Sequence, residues 1–151
     1  MKKRTTAIAA VLSLFPLGQP LLIKTGVAMT TSGVIFSIAE ETKAESAVSF
    51  YNQGNNKYND GDYVGAISDY DKAIELDPKY KSAYFDRGLS KINLRDNSGA
   101  ISDFNKVINI DPNYAYAYLN RGVAKINLGD NSGAIFDYSK AIEINPNYLD
   151  A

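Results

Sequence analysis

The sequence predicts an all-α chain: three helix-turn-helix units stacked into an α-solenoid. Three observations predict it. Residues 81–114 are followed without a gap by a near copy, 115–148, and preceded by a third, 47–80, so one 34-residue unit recurs three times. In the second half of each unit apolar residues fall at helical spacing, as in Ile101, Phe104, Val107 and Ile108, and again in Ile135, Tyr138, Ala141 and Ile142. Helix-punctuating residues recur in register too: Asp62, Asp96 and Asp130, then Pro78, Pro112 and Pro146. One helical pair cannot bury its own apolar face, and stacking copies of it can.

The chain opens on Lys2, Lys3 and Arg4, and an uncharged run from Thr5 to Gly18 follows. Basic and then apolar is the order of a secretory signal. Small residues suited to cleavage come at 26–28 and 37–39, while Pro16, Pro20 and Lys24 interrupt the apolar stretch. Neither apolar run reaches the roughly 18–20 residues that span a bilayer. Residues 1–39 therefore read as a cleaved export signal or as an uncleaved N-terminal membrane anchor. The third reading is a plain apolar leader on a cytoplasmic chain. Residues 40–46 read as a short polar linker.

Within the units, Asp77, Asp111 and Asn145 stand directly before proline, the arrangement of a helix start. Asp62, Asp96 and Asp130 are expected to cap the second helices. Gly61 and Gly129 precede two of those caps and suit a left-handed residue that ends a helix. Arg95 takes that place in the middle unit, at a cost of about 1 kcal/mol. Gly65, Gly99 and Gly133 recur inside the second helices, by close backbone packing or by shared ancestry of the copies. A further helix starts at Asn145–Pro146, and residues 149–151 read as the stub of a capping helix.

These residues resemble the tetratricopeptide repeat (TPR). The small residues of its pattern fall on Gly54, Gly88 and Gly122 and on Ala66, Ala100 and Ala134. Its aromatics fall on Phe50, Tyr84 and Tyr118 and on Tyr70, Phe104 and Tyr138, with Ala73, Val107 and Ala141 next and the closing prolines last. The resemblance covers residues 47–148 and implies a right-handed superhelical array. Lys57, Lys91 and Lys125 depart from the pattern, where an aromatic is frequent. They are expected to lie along a solvent-facing edge.

The resemblance implies a use as well: a concave face, lined by the first helices, that binds a peptide or protein segment. By position that face carries Tyr51, Asn55, Tyr58, Asn59, Phe85, Leu89, Asn93, Tyr116, Leu119, Asn120 and Asn127. Rigid aromatics are favoured binding anchors. The recurring Asn59, Asn93 and Asn127 each offer a donor and an acceptor to a peptide backbone, or are simply polar helix ends facing water. Ile92 and Ile126 are assigned to the core between helices. Relatives that clamp a terminal carboxylate place Lys and Arg on this face. Here Asn55 matches, but Tyr51, Asp86, Tyr116 and Asn120 stand at the other positions, so that subtype is set aside. Arg87 and Arg121 are expected to be structural, each reaching a nearby carboxylate.

Other chemistry is excluded by composition. The chain of 151 residues has 16 basic and 17 acidic side chains, a balance that leaves no footprint for nucleic acid. It has no His and no Cys, which removes thiolate and imidazole zinc sites and the His-based nucleophile systems. No catalytic constellation, metal site or cofactor motif is read. The acidic residues are expected to be spread over helix surfaces. At the far end, Ile135, Tyr138, Ile142 and Ile144 are expected to be incompletely covered, which suggests a face for another protein or for self-association into a homo-oligomer.

Overall fold

The computed structural model describes residues 21–22, 28–29 and 31–149. The chain divides into two units, 1–42 and 43–151. In the first, the pair β1 (Leu21–Leu22) and β2 (Ala28–Met29) runs antiparallel, with Leu21 opposite Met29 and Leu22 opposite Ala28. The greater part of residues 1–39, read as signal or anchor, lies outside the described residues. No helix among the described residues is long and apolar enough to cross a membrane.

The second unit is the helical array. It comprises the end of α1 (Thr31–Asn59), then α2 (Tyr63–Leu76), α3 (Lys81–Asn93), α4 (Asn97–Ile110), α5 (Ala115–Asn127) and α6 (Asn131–Ile144). A 3₁₀ turn, Pro146–Leu149, closes it. Each helix packs on its sequence neighbour from α2 onward. Residues 40–46, expected as a linker, are helical and exposed. Glu, Ala and Lys are good helix formers, and neither Gly nor Pro interrupts them.

The turns follow from local chemistry. Asp62, Asp96 and Asp130 cap α2, α4 and α6 through their carboxylates, which accept from the N–H groups of Gly65, Gly99 and Gly133 at 2.8–2.9 Å. This explains those glycines. A β-carbon there would fall 2.0–2.1 Å from the capping carboxylate, so the contact that excludes a side chain is the cap and not a neighbouring helix. Each first helix ends in a left-handed residue with paired 6→1 and 5→2 hydrogen bonds, such as Asp62 N to Lys57 O and Gly61 N to Tyr58 O. That residue is Gly61 (φ 81°), Arg95 (φ 64°) and Gly129 (φ 82°) in turn.

The Asp-Pro stretches do not start helices as expected. Asp77 and Asp111 end α2 and α4, and each side chain accepts from the N–H two residues on, closing an Asx turn. The next helix begins beyond the turn, at Lys81 and Ala115, with Tyr80 and Tyr114 at the caps. The core is made of small and aromatic residues. Ala66, Tyr70, Ala73, Ala100, Phe104 and Val107 are buried. The rings of Tyr70, Phe104 and Tyr138 press on Gly54, Gly88 and Gly122, where an added β-carbon would come within 2.5–2.8 Å of a ring carbon. Helix pairs can approach that closely only without a side chain at the contact.

Candidate functional site

The first helices are held from behind by buried charge. Asp69, Asp103 and Asp137, one on each second helix, are buried. Lys57, Lys91 and Lys125 reach them at 2.6, 2.8 and 2.9 Å. The lysines are therefore not an idle solvent edge, and the acidic residues are not all on the surface. A buried carboxylate stays ionised only when cations face it, and these lysines lie twelve residues earlier across the turn. Arg87 and Arg121 add a two-point grip on Asp103 and Asp137. Burial opposes ionisation of Asp69 and Asp137, yet their basic partners outweigh it and hold both carboxyls below the usual range.

On the other side of these helices lie the expected groove residues. Tyr51 is half-buried; its ring lies 5.0 Å from that of Tyr80 and 5.9 Å from that of Tyr70. Asn55 accepts the Tyr70 hydroxyl at 2.8 Å, so a core ring fixes it. Tyr58 meets Tyr63 edge-on. Phe85 packs between Phe104 and Tyr114, at 5.7 and 5.3 Å. Leu89 and Ile92 are half-buried against the Ala100–Phe104–Ala124 cluster, and Leu119 is half-buried on α5. Tyr116 is 52 % exposed, with its ring 6.0 Å from that of Tyr114. Ile126, expected in the core, is 45 % exposed, because among the described residues no first helix follows α5 to cover it.

Asn59, Asn93 and Asn127 are the exposed last residues of α1, α3 and α5. Asn93 donates to the Leu89 carbonyl and to the Tyr58 hydroxyl, and Asn127 donates to Asn97 at 2.9 Å. Asn120 donates to the Tyr116 carbonyl. Much of the amide capacity is thus spent on orienting the face. The acceptor oxygens of Asn93 and Asn120 take no part in these bonds.

By sequence position Asp86 lies on the concave face, at a place where the carboxylate-clamp pattern is not met. The structure makes it a centre. It is half-buried on α3 and accepts the Tyr51 hydroxyl at 2.7 Å, from one first helix to the next. Burial lifts its carboxyl above the ordinary range, the Tyr51 hydrogen bond only partly offsetting this. Burial, followed by Asp86 as hydrogen-bond partner and neighbouring charge, pushes the Tyr51 phenol up to about 12. The available sequence signal was the register 52, 86, 120, which reads Asn, Asp, Asn.

At the far end Ile135 is 65 % exposed, while Tyr138, Ile142 and Ile144 are half-buried. Phe136, absent from the expected set, is 58 % exposed. It replaces the serines found at 68 and 102. Among the described residues no group of His, Cys, Asp and Glu is arranged to hold a metal ion.

Comparison with known proteins matches this geometry. A family model described as tetratricopeptide repeat matches residues 115–148, and one described as TPR repeat matches 54–92 and 96–129. The first TPR of Spaghetti (RPAP3), solved bound to the HSP90 peptide SRMEEVD, is similar at a TM-score of 0.67 and 29 % identity, over 69 % of this chain and 82 % of that one. The Arabidopsis OM64 TPR domain is similar at 0.67 and 27 %, over 69 % and 86 %. MamA is similar at 0.66 and 27 %, over 72 % of this chain and 63 % of that one. No curated protein matches the chain.

Proposed function

The chain belongs to the tetratricopeptide repeat family, and from that premise we propose that it is a non-catalytic interaction module holding a peptide or protein segment in the groove of α1, α3 and α5. What supports this reading is one set of first-helix side chains: the half-buried rings of Tyr51, Tyr58 and Phe85, flanked by amides whose orientation neighbouring side chains and carbonyls set. Orientation before binding lowers the ordering cost of a complex. The Spaghetti neighbour, solved with a peptide, supports the same use. That peptide is acidic, however, and this groove lacks the cations to receive it.

The basic-then-apolar N-terminus supports work in the cell envelope, exported or tethered by residues 1–39. Fractionation with N-terminal sequencing of the native protein tests this; a cytoplasmic chain beginning at Met1 overturns it. For the groove, affinity capture with the full chain should recover a defined partner that Phe85→Ala with Leu119→Ala loses. Retention of that partner by the folded double variant overturns the reading. The exposure of Ile135 and Phe136 favours a second reading, self-association through α6. Light scattering should then show oligomers that Ile135→Lys disperses; a monomer at all concentrations ends that reading.

A further inference from the structure

The groove face comprises the first-helix positions 48, 51, 52, 55, 58 and 59 and their counterparts one and two units on. Asp86 is its single charged residue. That charge has no counter-ion: Asp86 takes part in none of the ion pairs among the described residues. The contrast with Asp69, Asp103 and Asp137 is sharp, because each of those faces two basic side chains. Among the described residues the Asp86 carboxylate has only the hydroxyl of Tyr51, at 2.7 Å. Beside it the rings of Tyr51 and Tyr80 lie 5.0 Å apart at 44°, two π faces next to a half-buried carboxylate.

Nor does the fold need this charge. The same position in the other units is Asn52 and Asn120, and an amide oxygen would accept the Tyr51 hydroxyl equally well. The hydroxyl itself is matched to the charge. The counterparts of Tyr51 are Phe85 and Leu119, so the one unit able to donate stands next to the one unit with an acid.

We propose that Asp86, with the rings of Tyr51 and Tyr80, forms a subsite for a lysine or arginine side chain of the bound segment; this rests on the groove reading above. A basic head group placed there gains an ion pair in a partly desolvated setting and cation–π contact with the rings. Tyr114, further along the same face, already shows such a contact: Lys81 lies 4.4 Å from its ring centroid, anchored by Asp111. The rise in the Asp86 carboxyl's pKa on burial is the cost a bound cation would remove.

The test uses the full chain and pools of labelled short peptides. Each pool fixes Lys, Arg, Ala or Glu at the central position and varies neutral residues elsewhere, and binding is read by fluorescence polarisation. The Lys and Arg pools should bind about tenfold more tightly than the Ala pool, and the Glu pool more weakly than Ala. Asp86→Asn should bring Lys and Arg to the Ala level, without lowering the melting temperature. Equal binding of all pools by the native chain, or a preference for basic pools that survives Asp86→Asn, overturns the subsite and leaves the groove standing. Binding of no pool overturns both.

Discussion

The first unit and the two that follow bury the same carboxylate with different cations. Asp103 and Asp137 each face an arginine and a lysine, whereas Asp69 faces Lys57 and Lys72. Gln53 stands where Arg87 and Arg121 would predict a third arginine. The reason lies in what else the arginines do. Arg87 also binds Asp71 of the preceding unit, and Arg121 binds Asn105 of its own predecessor. The guanidinium is planar and forked, so it can grip one carboxylate and still reach back. Among the described residues no repeat stands before the first unit for such an arginine to reach. There Lys72 takes over both local tasks: it pairs with Asp69 and lies over the Phe50 ring, as Arg87 lies over Tyr84 and Arg121 over Tyr118. In a repeat array the lysine–aspartate pair is thus part of a unit's own stability, and the arginine is part of the coupling between units.

The largest expected effect breaks that comparison directly. Asp103→Ala leaves Arg87 and Lys91, 17 % and 19 % exposed, without their carboxylate, and should cost about 3 kcal/mol. Asp69→Ala frees lysines that are 41 % and 49 % exposed and turn readily to water, so its cost should be nearer 1 kcal/mol. Thermal unfolding followed by circular dichroism measures both, and equal losses would mean that the arginine adds nothing.

Next comes acid. Asp69 and Asp137 have folded-state pKa values below the unfolded one, so the folded state releases their protons more readily. Their stabilisation is full above the unfolded pKa of about 3.9 and is lost as pH falls through the folded values. The melting temperature should drop steeply below about pH 4, and less steeply in Asp137→Asn. An unchanged acid slope in that variant would contradict the assignment.

The smallest effect concerns the turn in which the middle unit differs from both neighbours. Arg95 is exposed and left-handed at φ 64°, where Gly61 and Gly129 hold the same conformation freely. Arg95→Gly should raise stability by about 1 kcal/mol, or about 4 °C in Tm. A loss would show that the Arg95 side chain stabilises the turn.

The sequence made the array legible because repeats, caps and close-contact glycines are local or periodic signals. Asp62, Asp96 and Asp130 cap as read; Gly54, Gly88 and Gly122 are legible as small positions, and the structure adds that aromatic rings lie over them. The buried acids escaped because burying a charge contradicts hydrophobic patterning, and what compensates it lies on another helix. The recurrence of Lys and Asp twelve residues apart in all three units was the signal. The Asp-Pro stretches look like helix starts in sequence because an Asx turn and a helix cap use the same residue type, and only the onset of hydrogen bonding three residues on separates them. In the groove, residue types were readable but their states were not. Whether Asn55 is free or held by Tyr70, or whether Asp86 has a counter-ion, depends on contacts 15 and 35 residues apart.

The backward reach of the arginines gives the array a grammar. A second copy of residues 81–114 placed after the first would find an Asn105 amide waiting for its guanidinium, and Arg121 would find another in the copy. Such an insertion adds one new junction, between α4 and a second α3, and the arginine contact across it has its partner in place. It would not multiply the Tyr51–Asp86 bond, because the inserted acid would face Phe85, which has no hydroxyl. The arginine contacts can thus be repeated along the array, while that hydroxyl–carboxylate pair occurs at one address, and the proposed basic-side-chain subsite with it.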